Sequence, residues 1–220
     1  MKKAYYIFHK DFSSELRMRF ALNALIMFVV VSLSTILFAI GSEKATENVY
    51  AGMMWVVVFF SAMSGLSRTF VSEEERGTNL ILSLIAHPVN IFLGKFLFNL
   101  VLIFFINTII AILYLTLFSG FVIQNWYSFI LAFVLGNIGI ATSSTIIAAI
   151  IAKANVKGTL YPVLAFPILL PVILMLIEIT KSAMVGESIS EVQSEFFVLL
   201  SYDVVMLTAS LMVFDIIWKD

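Results

Sequence analysis

Six continuous apolar runs leave this chain almost no choice of fold. They fall at residues 21–41, 50–70, 91–118, 126–152, 159–180 and 197–217 of a 220-residue sequence. A helix that crosses a bilayer needs about 20 mainly apolar residues. Only helices and closed barrels satisfy every backbone polar group in lipid, and these runs are unbroken rather than alternating, which selects helices. A mean hydropathy of +1.06 and a charged fraction of 12% exclude a soluble domain. The expected fold class is all-α: a polytopic integral membrane protein with six transmembrane helices in one transmembrane domain over residues 1–220.

The first run is too long for a cleaved signal sequence and no small-residue cleavage site precedes it, so it reads as a retained span. Cysteine is absent, which excludes disulfides and thiolate metal sites on this chain. His9 and His87 have no second ligand at metal-site spacing, so no metal site is expected. Gly94-Lys95 is the one Gly-Lys pair, with Val89 where a P-loop needs its first glycine and Phe96 where it needs a hydroxyl. Nucleotide hydrolysis is therefore not expected on this chain. No nucleic-acid partner is expected, and no catalytic pair stands in the spans.

Charge sets the orientation. With the N-terminus inside, the inner segments hold Lys2, Lys3, Lys10, Arg17, Arg19, Arg68, Arg76, Lys95, Lys153, Lys157 and Lys219, and the outer ones hold Lys44 and Lys181. Eleven of the 13 basic residues on one side place both ends of the chain in the cytoplasm. Residues 1–20 combine five of those charges with Tyr5, Phe8, Phe12 and Leu16 at helical spacing. That pattern predicts an amphipathic helix in the interface, its basic face toward anionic headgroups. The outer loop 181–195 is acidic, and Ile189, Val192 and Phe196 on it fit either a short surface helix or a solvated connector.

Within the spans, Ala132, Gly136, Gly139, Ser143, Ser144 and Ala148 give the fourth run small faces for close helix packing. Pro162, Pro167 and Pro171 predict a bent or broken fifth span. No acidic or basic group is expected at the centre of a span. Asp203, about two turns into the sixth, is the deepest and is a candidate to face a cavity or a partner, and Arg68 is a second such candidate.

The densest charge lies between the second and third spans, in a cytoplasmic loop at 72–90. Ser72 and Glu75 fit a capping box, which brings Glu73, Glu74 and Glu75 to a helix N-terminus. Arg76 follows, Gly77 permits a turn, and Thr78 caps a second short helix over Asn79 to Ala86. Leu80, Ile81, Leu84 and Ile85 give that helix an apolar ridge, and Pro88 ends the loop. It is too short to span and suits either the membrane surface or a groove on a soluble partner.

Phe70, Glu73, Gly77-Thr78, Leu84, Pro88 and Gly94-Lys95 resemble the signature of type-two ABC exporter permeases. Gly52 to Lys95, with Trp55, Phe60, Gly65-Leu66, Arg68 and Phe70, looks like the haem exporter protein B (CcmB) family of cytochrome c maturation. The resemblance implies a permease subunit for haem export or delivery, not itself an enzyme, in the bacterial inner membrane. Its loop would be a coupling helix, with Glu73, Glu74, Glu75, Arg76, Gly77, Thr78, Leu80, Leu84 and Pro88 contacting a separate ATPase (CcmA-like) that holds the ATP. The implied partners are the haem-handling subunits CcmC and CcmD, the haem chaperone CcmE and a second permease copy, and haem is the implied substrate. The tryptophan-rich haem-binding motif of the C partner is absent, since Trp55, Trp126 and Trp218 are scattered. The resemblance accommodates passage of haem itself, or ATP-driven release of the loaded chaperone. A permease for a lipid, drug or polysaccharide is the alternative within the same mechanism, and a non-transport assembly factor is the alternative of another class.

Overall fold

Each long apolar run closes its backbone hydrogen bonds within one helix, as a segment withdrawn from water must. The computed structural model describes residues 2–17, 19–41, 45–67, 69–75, 77–153 and 157–219. In chain order the helices are α1 (Lys2–Arg17), α2 (Arg19–Ile40), α3 (Glu47–Leu66), α4 (Val71–Glu75), α5 (Asn79–Ile85), α6 (Pro88–Leu117), α7 (Trp126–Ala152), α8 (Lys157–Val185) and α9 (Gln193–Lys219), with a 3-10 turn at Ile189–Glu191. Six of them, α2, α3, α6, α7, α8 and α9, are long and apolar enough to cross a membrane. The protein is an all-α polytopic membrane protein.

The small residues of the fourth run decide what sits at the centre. α7 packs against α3, α4, α6, α8 and α9, and 67% of its most apolar window is buried, against 17% for α2 at the edge. Glycine makes this approach feasible. A methyl group on Gly136 would stand 2.6 Å from a Leu176 methyl of α8, and one on Gly139 would stand 2.5 Å from Asp203 Oδ1 of α9. The small face is thus filled by α8 and α9 of the same chain. α6 runs antiparallel to α7 along two polar rungs: Asn99 Nδ2 donates to Thr145 Oγ1 at 2.8 Å, and Asn107 Nδ2 to Asn137 Oδ1 at 2.7 Å.

Three expectations change. The expected break does not occur, since α8 is one helix across its prolines. All three rings lie on its exposed face, while Tyr161, Ala165, Leu169, Val172 and Leu176 are buried on the other. Packing along the ring-free face holds the helix together. The outer loop is shorter than 181–195, because α8 continues to Val185 and α9 begins at Gln193. Its short helix is the single 3-10 turn Ile189–Glu191. Val192 and Phe196 are buried, and the loop is tied down by the Gln124 and Asn125 amides donating to the Ala183 carbonyl and by Asn125 Nδ2 donating to the Glu187 carbonyl. The earlier start of α9 also deepens Asp203, which becomes the eleventh residue of the 26-residue span Gln193–Trp218. An ionisable residue therefore does stand near the middle of a span.

Candidate functional site

The turn between α4 and α5 is built by its glycine. Gly77 has φ +66°, which L side chains rarely adopt. The Gly77 amide donates to the Glu74 carbonyl and the Thr78 amide to the Glu73 carbonyl, at 3.2 and 3.0 Å. This pair of bonds is the Schellman closure of a helix end. α4 begins at Val71, so Ser72 lies inside the helix and not at its N-cap position, and its side chain lies outside the described residues. The Phe70 carbonyl instead accepts from the Glu73 and Glu74 amides. Thr78 stands at the N-cap position of α5, where its carbonyl accepts from the Leu82 amide but its side chain does not cap the helix; its hydroxyl donates to the Glu73 carboxylate.

Glu73 is the centre of the arrangement. It is 7% exposed, and it accepts from Lys10 of α1, Lys95 of α6 and Thr78, with Lys95 Nζ 2.9 Å from Oε1. Lys95 is 1% exposed and also meets Asp11 Oδ2 at 2.9 Å and the Thr69 carbonyl at 3.0 Å. Lys10 closes the square at 3.2 Å from Asp11 Oδ1. Two cations thus face two anions, so the cluster is neutral as a whole. Burial alone would raise the Glu73 carboxyl, but the Lys95 charge and the bonds from Lys10, Thr78 and Lys95 outweigh it and hold the group down at about 2. Burial opposes the charge on Lys10, and its bond to Glu73 together with the nearby Asp11 carboxylate overcomes this, so its pKa is raised.

The cluster continues into the bundle. Thr69 Oγ1 donates to Asn99 Oδ1 at 2.8 Å, and Asn99 Nδ2 donates to Thr145 on α7. Asn99 stands one turn beyond Lys95 on α6, so a polar chain runs from the loop through the third span to the fourth. α1 is part of the anchor. Ala4 and Ile7 are buried, and Gly94 of α6 lets the helix approach: a methyl there would lie 2.7 Å from the Ala4 carbonyl oxygen. Tyr5, Tyr6 and Leu16 are exposed on the side away from the bundle. The expected basic face toward headgroups is partly turned inward, because Lys10 reaches Glu73 and Lys3 Nζ donates to the Ile85 carbonyl at 2.7 Å, at the end of α5. A cation at a helix C-terminus satisfies an orphan carbonyl and the local dipole.

α5 presents its ridge outward. Leu84 is 87% exposed, with Ile81 and Ile85 also exposed, while Ala86 is buried and Leu82 packs on the core. Pro88 opens α6 at its first position. Arg68 and Arg76 lie outside the described residues, as do the side chains of Glu75 and Leu80. Glu74 sits in the first turn of α4. Asp203 is brought to none of these; it is buried in the α7–α9 seam and not presented at the surface.

Sequence reasoning missed Asp11, Thr69, Asn99 and Thr145, and read Lys10 and Lys95 only as orienting charges and, for Lys95, as part of a motif. One signal was available. A lysine two turns into an apolar helix needs a buried anion, and the acids expected on its side of the membrane before it in the sequence are those of the loop and of α1.

A family model described as CcmB protein matches residues 2–216, which spans the loop, its anchor and all six long helices. The chain belongs to the CcmB family. No individual curated protein matches it. As a CcmB chain it is a transmembrane permease component of the haem export system of cytochrome c maturation, a system that includes an ATPase. In this CcmB chain the loop rests on buried ion pairs beneath and is apolar on top.

Proposed function

We propose that this permease receives ATP-driven motion through the α4–α5 loop and passes it into its spans. The ATPase is a separate CcmA-like chain, and it seats the ridge of Ile81, Leu84 and Ile85 in a groove. The observation that carries the reading is the pairing of an exposed apolar ridge with a base anchored by Lys95, Glu73, Lys10 and Asp11. An exposed apolar ridge on a loop between two spans suits a groove on a partner, and a push on a floppy loop would be dissipated. The same assembly includes CcmC-like and CcmD-like subunits and a CcmE-like chaperone, with haem as substrate and two permease copies to match two ATPase subunits. The chain sits in the inner membrane, and the loop and both termini lie in the cytoplasm, an orientation that 11 of its 13 basic residues on that side support.

Co-purification tests this. The wild-type chain, expressed with the co-encoded ATPase, retains it through detergent extraction; Leu84→Asp inserts normally and loses it. Undiminished ATPase recovery with Leu84→Asp would refute docking on the ridge. A haem absorbance spectrum of the complex, taken with and without the haem-handling subunit, separates haem from a lipid or polysaccharide substrate.

A further inference from the structure

One buried ionisable group has no part in this scheme. Asp203 is the eleventh residue of its 26-residue span and stands eight residues past Glu195, so at 1.5 Å per residue it lies about 12 Å along the axis from that last outer charge, well inside a helix that must cross a hydrocarbon core of roughly 30 Å. It is 6% exposed, and neither carboxyl oxygen has a hydrogen-bond partner among the described residues. Its surroundings are apolar or already engaged. Oδ1 fills the space left by the missing side chain of Gly139, where a methyl group would meet it at 2.5 Å and a Val172 methyl of α8 at 3.6 Å. The adjacent Tyr202 hydroxyl is committed to Ser143 Oγ and the Ile168 carbonyl, both at 2.7 Å.

The charges on the elements around α9 are placed elsewhere. α7 has no Asp, Glu, Lys or Arg. Lys95 of α6 is held by Asp11 and Glu73, and Glu178 and Lys181 of α8 pair with each other. Glu191 in the outer turn bonds to Ser188, and Glu195 at the start of α9 bonds to Ser194. Asp215 and Lys219 stand more than three turns further along α9, and Lys157 opens α8 at the opposite end from its contact with the outer turn. Of the tyrosines, Tyr114 donates to the Tyr50 carbonyl and Tyr161 lies beside Ser144.

An ionised carboxylate in this place would have neither water nor a counter-ion. We propose that Asp203 is an intramembrane proton site: it holds a proton while α9 is closed on Gly139, and exchanges it when α9 moves away from α7. The ligand is a proton alone. Release leaves a charge that must reach water, so exchange is tied to opening of the α7–α9 seam, and Gly139 puts no side chain in the way of that opening. The site stands independently of how the loop docks.

The test uses the full chain in liposomes with dicyclohexylcarbodiimide, a membrane-soluble reagent that needs a protonated carboxyl. The acid proton passes to a carbodiimide nitrogen and the carboxyl oxygen bonds to the central carbon, so the adduct is the sum of the two molecules. Mass spectrometry locates it. Asp203 is expected to react near neutral pH about tenfold faster than with a water-soluble carbodiimide at equal concentration, because the site is closed to water. An infrared carbonyl band of a protonated carboxyl is expected in the wild type and absent from Asp203→Asn. Three results would overturn the proposal: no adduct at Asp203 and no such band, equal reaction with the water-soluble reagent, or protection by added sodium or potassium, which would make this a metal-cation site. Where Asp203→Asn does not insert, the wild-type adduct alone decides.

Discussion

Replacing Glu73 by glutamine keeps the shape of the side chain and removes the charge that Lys95, Lys10 and Thr78 surround. The magnitude follows from the titration of the native group. Its displacement from 4.5 to about 2 means that the ionised form is favoured over the neutral one by on the order of 3 kcal/mol. The side chain is 10% exposed, so solvent screening is small. A glutamine resembles the neutral acid, and Glu73→Gln should therefore raise the open population of the loop about a hundredfold. Amide hydrogen exchange of the chain in liposomes measures this directly. The Glu73 and Thr78 amides, bonded to the Phe70 and Glu73 carbonyls, should exchange about a hundredfold faster in the variant, while amides in the middle of α7 keep their wild-type rates. The sign of the pH dependence is fixed by the same groups. Because the Glu73 pKa is depressed on folding, its contribution is complete above 4.5, declines as the pH falls below that value, and is gone below about 2. Lys10, raised above 10.5 on folding, contributes fully below 10.5 and loses its contribution as the pH rises through its folded value. Loop exchange should thus be corrected for intrinsic chemistry to a flat line between about pH 5 and pH 10. Exchange in Glu73→Gln within about threefold of wild type would refute the reasoning, since it would mean that the buried cluster does not hold the loop.

Other perturbations separate the parts of the anchor. Lys95→Met leaves Glu73 and Asp11 without their buried cation and should cost about 3 to 5 kcal/mol in unfolding measured in mixed micelles; adding Glu73→Gln to it should recover part of that, and strict additivity of the two losses would show the pair to be uncoupled. Asn99→Leu leaves Thr69 and Thr145 without their shared partner, with an expected loss of about 1 to 3 kcal/mol and, in the complex with the ATPase, weaker coupling of hydrolysis to export while association is retained. Gly77→Ala places a side chain at φ +66° and should destabilise the turn by about 1 to 2 kcal/mol, visible as faster exchange of the Thr78 amide.

The six spans were legible because lipid allows so few solutions to an apolar run, and the Gly77 turn because only glycine takes that backbone conformation cheaply. The face that α1 buries was not. Its apolar stripe of Tyr5, Phe8, Phe12 and Leu16 has the stronger pattern, whereas the contact with α6 uses Ala4, Ile7 and Asp11, a small residue, one aliphatic and an acid that no hydrophobic pattern selects. The partners of Glu73 come from positions 63 residues earlier and 22 later, and local spacing carries no trace of such pairings. The small residues of the fourth run announced close packing, but not that α8 and α9 would supply it. The unbroken α8 shows the limit of reading proline in isolation, since whether the rings face outward depends on which side the bundle covers. The depth of Asp203 depended on the start of α9, and four residues of boundary moved it from the seventh residue of the sixth span to the eleventh.

The central claim is that the ridge of α5 is where the ATPase sits. A photo-crosslinking amino acid placed at Leu84, and in a separate chain at Phe105, which is also exposed but lies within a span, tests it in intact membranes with the co-encoded ATPase present. The account predicts a crosslink to the ATPase from position 84 and none from position 105. A chain that inserts and exports normally yet gives no ATPase crosslink at position 84 or at Ile81 would contradict it.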